Sequence, residues 1–239
     1  EVCRKSRHVQ SAVIITSDKC YHNKEIIKGY SESDELGGDD PYSASKASAE
    51  LVFHAYNKTF YNQKNLGIAT TRAGNVIGGA DWSDYRIVPD AIKSIKNKRK
   101  FIIRNPLSTR PWQHVLEPIS GYLLLGRKLY ENPKKYRQSW NFGPKGNQIK
   151  NVKNLVKDLA SYLKPLNLKF FFKKNKKIKE ANLLRLNSKK ALKDLNWKCK
   201  WTMEQAIYQT AVWYKGYLLK ENTKKIIFDQ IKLYYKLNR

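Results

Sequence analysis

The first strongly apolar stretch is Ala12-Val13-Ile14-Ile15-Thr16, β-branched and without polar alternation. Such a run predicts a parallel strand buried on both faces. It passes into the polar Ser17-Asp18-Lys19 and then into the turn-rich Glu35-Leu36-Gly37-Gly38-Asp39-Asp40-Pro41. Pro41 suits the first turn of a helix. The spacing predicts that helix from about Tyr42 to Tyr61, with Ala44, Ala47, Leu51, Ala55 and Phe60 as its apolar stripe. Gly67-Ile68-Ala69-Thr70-Thr71-Arg72 reads as a second strand, leading into the Gly-rich Ala73-Gly74-Asn75-Val76-Ile77-Gly78-Gly79. Strand, helix and strand in that order form the βαβ pattern of a parallel sheet. Further on, the pattern predicts a helix near 88–96, a strand at 101–103, a helix over 116–130 and a strand at 139–143. After these come a helix at 152–163, a strand at 168–172, a helix around 203–219 and a basic, aromatic, helical tail. No internal repeat is visible, and the fold class is α/β.

A chain of 239 residues, 41% hydrophobic and 12% aromatic, is long and apolar enough for a real core. No apolar run approaches the roughly 18–20 residues that span a membrane, and the charged start Glu1-Val2-Cys3-Arg4-Lys5 is not a secretory h-region. Cys3, Cys20 and Cys199 are odd in number and irregular in spacing, which fits a reducing, cytoplasmic setting better than a disulfide framework. The net charge of +27 raises nucleic-acid binding. The charge is mostly Lys, however, and it is scattered, and no nucleic-acid-binding motif accompanies it. Its densest cluster, Lys173-Lys174-Asn175-Lys176-Lys177, falls where a loop is expected. The reading is therefore a solvated basic surface with no specific nucleic-acid partner. His8, His22, His54 and His114 lack metal-ligand spacing, and Cys20-Tyr21-His22 alone is not a zinc site.

Open α/β sheets bind ligands beyond the carboxyl ends of their strands, which is where Ser17-Asp18-Lys19 falls. Tyr42 opens the next helix, and Lys46 lies one turn further along the same face. A cation beside a phenol favours the phenolate, which can take a proton from a sugar hydroxyl while a hydride leaves the same carbon. Ser17 is placed to hydrogen-bond the phenol or the substrate. Tyr-x-x-x-Lys alone is weak evidence: Tyr130 to Lys134 repeats it at a helix end, around Pro133. Context separates the two, because only Tyr42 follows a strand that ends in Ser. Cys20 reads as a small packed residue rather than a nucleophile.

Four segments in order resemble the motifs of the CDP-glucose branch of nucleotide-sugar 4,6-dehydratases. They are Ser17-Asp18-Lys19-Cys20-Tyr21, Pro41-Tyr42-Ser43-Ala44-Ser45-Lys46, Arg72 through Gly79, and Arg110-Pro111-Trp112-Gln113-His114-Val115. Leu186-Asn187-Ser188-Lys189-Lys190-Ala191 with Leu195-Asn196-Trp197 is similar to the C-terminal signature of extended short-chain dehydrogenases. The resemblance implies a Rossmann-type doubly wound parallel sheet with a smaller α/β substrate-binding domain. It also implies NAD as cofactor, held by Tyr42 and Lys46, and a nucleotide-sugar substrate. Tyr42, Lys46 and Ser17 would oxidise C4, Lys19 would remove the C5 proton, and Asp18 would protonate the departing O6. The hydride would then return to C6, as in deoxysugar biosynthesis. Asn75, Arg86, Arg104 and Arg110 would contact the substrate, Arg110 at the pyrophosphate, although each arginine also reads as an ordinary surface residue. A homodimer through the Tyr42 helix is implied as well.

The Gly-x-x-Gly-x-x-Gly turn that cradles NAD in this family is not in the sequence, since Gly74, Gly78 and Gly79 have the wrong spacing and place. The resemblance therefore implies an incomplete Rossmann domain, short of its first half, about one hundred residues. It implies an uncovered sheet edge and a chain that alone binds NAD poorly and is inactive or unstable. The family pattern assigns 1–79 and 112–144 to the nucleotide-binding domain, 80–111 and 145–202 to the substrate domain, and 203–239 to C-terminal helices. Another nucleotide-sugar dehydratase or epimerase, and an inactive basic fragment, stay open as alternatives.

Overall fold

The computed structural model describes residues 1–61, 65–144, 149–173 and 183–236. It divides into two compact units. The first comprises Glu1–Gly74, Glu117–Lys145 and Leu184–Cys199, and the second Asn75–Leu116, Gly146–Leu183 and Lys200–Arg239.

The first unit is built on a parallel sheet of β1 (Ser11–Ile15), β2 (Gly67–Ala73) and β7 (Ser139–Phe142), with β2 in the middle. Ile14 faces Thr70 in the first pair, and Arg72 faces Asn141 in the second. Helix α1 (Val2–Lys5) precedes β1. A one-turn 3-10 segment, Asp18–Cys20, follows β1, and then comes α2 (Pro41–Thr59). Helices α4 (Leu116–Glu131), α5 (Pro133–Tyr136) and α7 (Lys189–Leu195) complete the unit. Its principal core gathers Leu125, Leu129, Trp140, Phe142, Leu195 and Trp197.

Three features differ from the sequence reading. β1 is not buried on both faces: it is an edge strand, and Ile15 is 58% exposed. An apolar β-branched run shows only that a face is dry in some assembly, not that this chain supplies the cover. On α2 the stripe is rotated. Ser43, Ala47, Glu50 and Phe53 face the core, whereas Ala44, Leu51, Ala55 and Phe60 are exposed. Glu50 is drawn inward by a buried cation, which overrides apolar periodicity. Segment 184–199, grouped by pattern with residues 145–202, clusters instead with the first unit. The reason is a line of hydrogen bonds: Tyr30 N to Arg185 O at 2.8 Å, Asn187 N to Tyr30 O at 2.7 Å, and Gly143 N to Ser188 Oγ at 2.8 Å. Trp197 then meets Phe142 edge to face, 4.9 Å between centroids.

The second unit holds three two-stranded ladders. β3 (Val76–Ile77) pairs with β6 (Gln113–His114) and β4 (Phe101–Ile103) with β9 (Phe170–Phe172), both parallel. β5 (Thr109–Arg110) and β8 (Lys150–Asn151) run antiparallel. Around them lie α3 (Ile87–Lys96), α6 (Val152–Tyr162), α8 (Met203–Leu218) and α9 (Thr223–Lys236). Asn151 caps α6, and Thr202 with Gln205 forms a capping box on α8. Of the lysine cluster only Lys173 lies within the described residues. Among the described residues no helix is long and apolar enough to cross a membrane.

Helix α4 approaches β7 so closely that a Cβ on Gly121 would fall 2.4 Å from the Phe142 ring. Gly121→Ala is therefore expected to cost about 1–3 kcal/mol through overpacking. Urea unfolding at an unchanged midpoint would show that the packing is looser than this.

Candidate functional site

Local chemistry builds the candidate site. Asp40 starts α2: its Oδ1 accepts from Tyr42 N and Ser43 N, each at 3.0 Å, and its Oδ2 accepts from Ser43 Oγ at 2.6 Å. The Ser43 hydroxyl and amide, with Tyr42 N, hold the Asp40 carboxyl below its usual value despite some opposing desolvation; Lys19 adds a favourable charge. Lys19 and the start of α2 are thus near neighbours. Tyr42 is 52% exposed, and the Lys46 ammonium lies 5.7 Å from its ring centroid. This is the pairing expected of residues one turn apart.

Opposite the start of α2, the chain leaves β1 and turns sharply. Ser17 Oγ donates to Asp18 Oδ1 at 3.0 Å and accepts from Lys19 N at 3.2 Å. Ser17 and Asp18 are buried, and Lys19 is half-buried. In this arrangement the Ser17 proton is directed at Asp18 rather than at Tyr42. A Cβ on Gly74 would meet Asp18 Oδ2 at 3.2 Å, so Gly74 leaves room beside that carboxylate. Cys20 is fully buried and its thiol is pushed up to about 12, chiefly by burial, which marks it as packing rather than as a nucleophile. The first unit thus packs the 3-10 turn that carries Ser17, Asp18 and Lys19 on α2, the helix that carries Tyr42 and Lys46.

The control motif behaves differently. Tyr130 lies in the last turn of α4, Lys134 belongs to α5, and Pro133 opens the second helix, so the pair shares no helix.

The other candidates lie in the second unit. The Asn75 carbonyl accepts from Gln113 N at 3.0 Å, placing the Gly-rich segment beside the Arg110-to-Val115 segment. Arg110 ends β5, and its Nη1 donates to Thr109 O at 2.8 Å. Arg86 stands at the N-terminus of α3, and Arg104 is close enough to Asp90 to oppose the rise that burial imposes on that carboxyl. His114 is fully buried, with Nδ1 accepting from Leu116 N at 3.3 Å. Burial lowers its pKa to about 3, so it stays neutral. An open hollow lined by Lys100, Leu168, Lys169, Phe170 and Phe171 contains none of the candidate residues. Among the described residues no cluster has the makings of a metal site.

Sequence reasoning assigned no role to the residues beneath the turn. Glu50 and Arg72 are each 2% exposed and joined by an Nη2–Oε2 contact of 2.8 Å. Glu50 also accepts from Thr16 at 2.5 Å, Thr70 at 2.8 Å and Ser139 at 2.9 Å. Arg72 Nη1 donates to Tyr21 Oη at 2.6 Å, and Tyr21 Oη donates to Asn141 Oδ1 at 2.8 Å. A signal was available: Glu50 falls one turn beyond Lys46 on the same helix, and Arg72 is a charge closing an otherwise uncharged strand.

The model of the GDP-mannose 4,6 dehydratase family matches residues 1–210. CDP-glucose 4,6-dehydratase of Salmonella typhimurium is 39% identical over 227 residues, covering 93% of this chain and 63% of that protein. Among solved structures, dTDP-glucose 4,6-dehydratase from Bacillus anthracis in complex with NAD superposes with a TM-score of 0.67 at 24% identity. The match covers 85% of this chain and 61% of that one. UDP-glucuronic acid 4-epimerase from Bacillus cereus, in complex with UDP-glucuronic acid and NAD, gives a TM-score of 0.73 at 18% identity, covering 90% and 64%. These structures share the expected Rossmann-type α/β fold. The chain spans a little under two thirds of the length of the Salmonella enzyme and of these two structures.

Burial pushes the Glu50 carboxyl up, but the Arg72 hydrogen bond and charge, with the Thr16 and Thr70 hydroxyls, outweigh it and leave the value lowered. A lowered carboxylate stabilises the fold above its unfolded value, about 4.3, and loses that contribution as pH falls through the folded value. Glu50→Gln, which strands the Arg72 charge, is expected to cost about 3–5 kcal/mol at pH 7. In urea titrations the gap to the parent should narrow as pH drops below 4. A gap equally wide at pH 3 would contradict this account.

Proposed function

This chain belongs to the GDP-mannose 4,6 dehydratase family, and from that premise we propose that it carries the catalytic and substrate-binding parts of a CDP-glucose 4,6-dehydratase. The observation that carries the reading is the buried Ser17-Asp18-Lys19 turn packed beside the start of the helix presenting Tyr42 and Lys46. An epimerase needs only to oxidise and reduce one carbon. A dehydratase needs in addition an acid and a base for elimination, and Asp18 and Lys19 supply that pair. The 39% identity to the Salmonella enzyme supports CDP-glucose as the substrate.

In this reading Tyr42 takes the C4 hydroxyl proton, with the Lys46 ammonium beside its ring. Once C4 is a ketone the C5 proton is acidic; Lys19 removes it, Asp18 protonates O6, and the C6–O6 bond breaks to release water. The half-exposed Tyr42 and its neighbouring Lys46 suit the nicotinamide-ribose end of NAD, which, when bound, supplies a transient hydride store between C4 and C6 without net redox change. Asn75, Arg86, Arg104 and Arg110 form the substrate's binding group, with Arg110 at the pyrophosphate. Exposed Leu51 and Val52 on α2 support a homodimer through that helix. A nucleotide-sugar substrate, together with free cysteines of which Cys20 is fully buried, supports a cytoplasmic location.

The test is turnover of CDP-glucose with catalytic NAD, followed by mass for loss of one water, using this 239-residue chain. Tyr42→Phe is expected to lower turnover by about 10²–10⁴-fold. Asp18→Asn is expected to keep C4 oxidation while elimination falls by a similar factor. Dehydration that survives Asp18→Asn would sink the elimination role, and turnover confined to another nucleotide sugar would sink the substrate assignment.

A further inference from the structure

The turn carrying Ser17, Asp18 and Lys19 is a single 3-10 turn, a form with poor hydrogen-bond geometry and little strength of its own. Its backbone bonds are long: Cys20 N to Ser17 O at 3.2 Å and Tyr21 N to Asp18 O at 3.3 Å. Its flanks are held more firmly. On one side Thr16 Oγ1 donates to Glu50 Oε1 at 2.5 Å, with Thr71 O also within reach at 3.1 Å. On the other side the Tyr21 hydroxyl accepts from Arg72 Nη1 at 2.6 Å and donates to Asn141 Oδ1 at 2.8 Å. The Arg72 guanidinium also lies over the Tyr21 ring, 4.8 Å from its centroid. Glu50 and Arg72 are bonded to each other, so one buried ion pair grips the residues on both sides of the turn. Glu50 also belongs to α2, one helical turn beyond Lys46 and two beyond Tyr42.

We propose that Thr16, Tyr21, Glu50 and Arg72 are positioning residues that hold the Ser17-Asp18-Lys19 turn in register with Tyr42 and Lys46. A buried ion pair is weak evidence for stability alone, because an apolar pair of similar volume often does as well. An apolar pair has no directionality, whereas one carboxylate accepting from Thr16, Thr70, Ser139 and Arg72 fixes a strand end, two further strands and a helix rotation at one point. Reacting groups gain most from such fixing, since a misplacement of about 1 Å can cost roughly a hundredfold in rate. The inference rests on the catalytic reading of the turn; the ordering of the turn by the ion pair does not.

Thr16→Val and Tyr21→Phe each remove one grip with little change of shape and leave the ion pair in place. In the protein as its gene encodes it, each is expected to lower kcat about tenfold or more with KM within about twofold, and Thr16→Ser to restore kcat. Cys20, inside the turn and fully buried, provides a readout independent of turnover. Its alkylation by iodoacetamide under native conditions, read by peptide mass, is expected to accelerate about tenfold in both variants and return to the parent rate in Thr16→Ser, with the rest of the protein still folded by circular dichroism. Unchanged kcat in folded variants would overturn the positioning role, as would a loss of Tm with turnover per folded molecule intact. If the parent turns over no nucleotide sugar, the proposed function fails, and Cys20 labelling still decides the clamp: unchanged labelling rejects it, and faster labelling upholds it.

Discussion

A guanidinium and a carboxylate 2.8 Å apart, both withdrawn from water, set the terms for the first unit. Each charge costs several kcal/mol to bury, so the protein must surround the pair with partners. That requirement explains residues that look misplaced in a sheet interior. Thr70 stands fully buried in the central strand, and Asn141 is fully buried in its neighbour. Thr70 and Ser139 donate to Glu50, while Asn141 takes up the Tyr21 hydroxyl and donates from Nδ2 to Tyr30 O at 2.8 Å. The segment Tyr21–Tyr30 is thereby tied to the sheet, and its two tyrosines stack with centroids 5.0 Å apart.

This network also shows where sequence reading stops. The order of strands and helices was legible because periodicity and turn residues report local propensity: the predicted helices and strands fall close to α2, β2, α3, β4, α4, β7, α6, β9 and α8. The fold class, the βαβ order and the shared face of Tyr42 and Lys46 follow from the same signals. Which face of α2 points inward did not, because it depends on a charge arriving from another strand. Arg72 pulls Glu50 into the core and leaves Leu51 exposed, a tertiary effect stronger than apolar spacing. β1 differs for a related reason: its composition describes a dry environment, and only strand order shows that among the described residues β2 alone pairs with it.

The second unit obeys simpler rules, and more of it could be anticipated. Its core is an apolar cluster including Ile92, Ile103, Leu155, Leu159, Ile207 and Tyr214, drawn from strand β4 and from helices α3, α6 and α8. What was hidden is the pairing of β3 with β6, which lays the Gly-rich segment alongside the Arg110 segment. Short ladders like this one carry no periodicity. They follow from close approach: a Cβ at Gly79 would fall 2.2 Å from the Trp213 ring, and one at Gly78 2.7 Å from Val115. A side chain at Gly79 would force the end of β3 away from α8, and one at Gly78 would force it away from the end of β6.

The two copies of Tyr-x-x-x-Lys draw these points together. Their residues and spacing are identical, yet at 130–134 Pro133 starts a new helix and the pair loses its common face. At 42–46 the helix begins on a strong cap, Asp40, and a buried carboxylate further along the same helix holds it against the end of β1. A phenol and an ammonium become a proton-handling pair only when a third group faces them at a fixed distance. The turn at Asp18 can do so because Thr16 and Tyr21 are anchored to the same ion pair that sets the rotation of α2. In the proposed reading the motif supplies the reacting groups, and the buried pair beneath it makes them a single device.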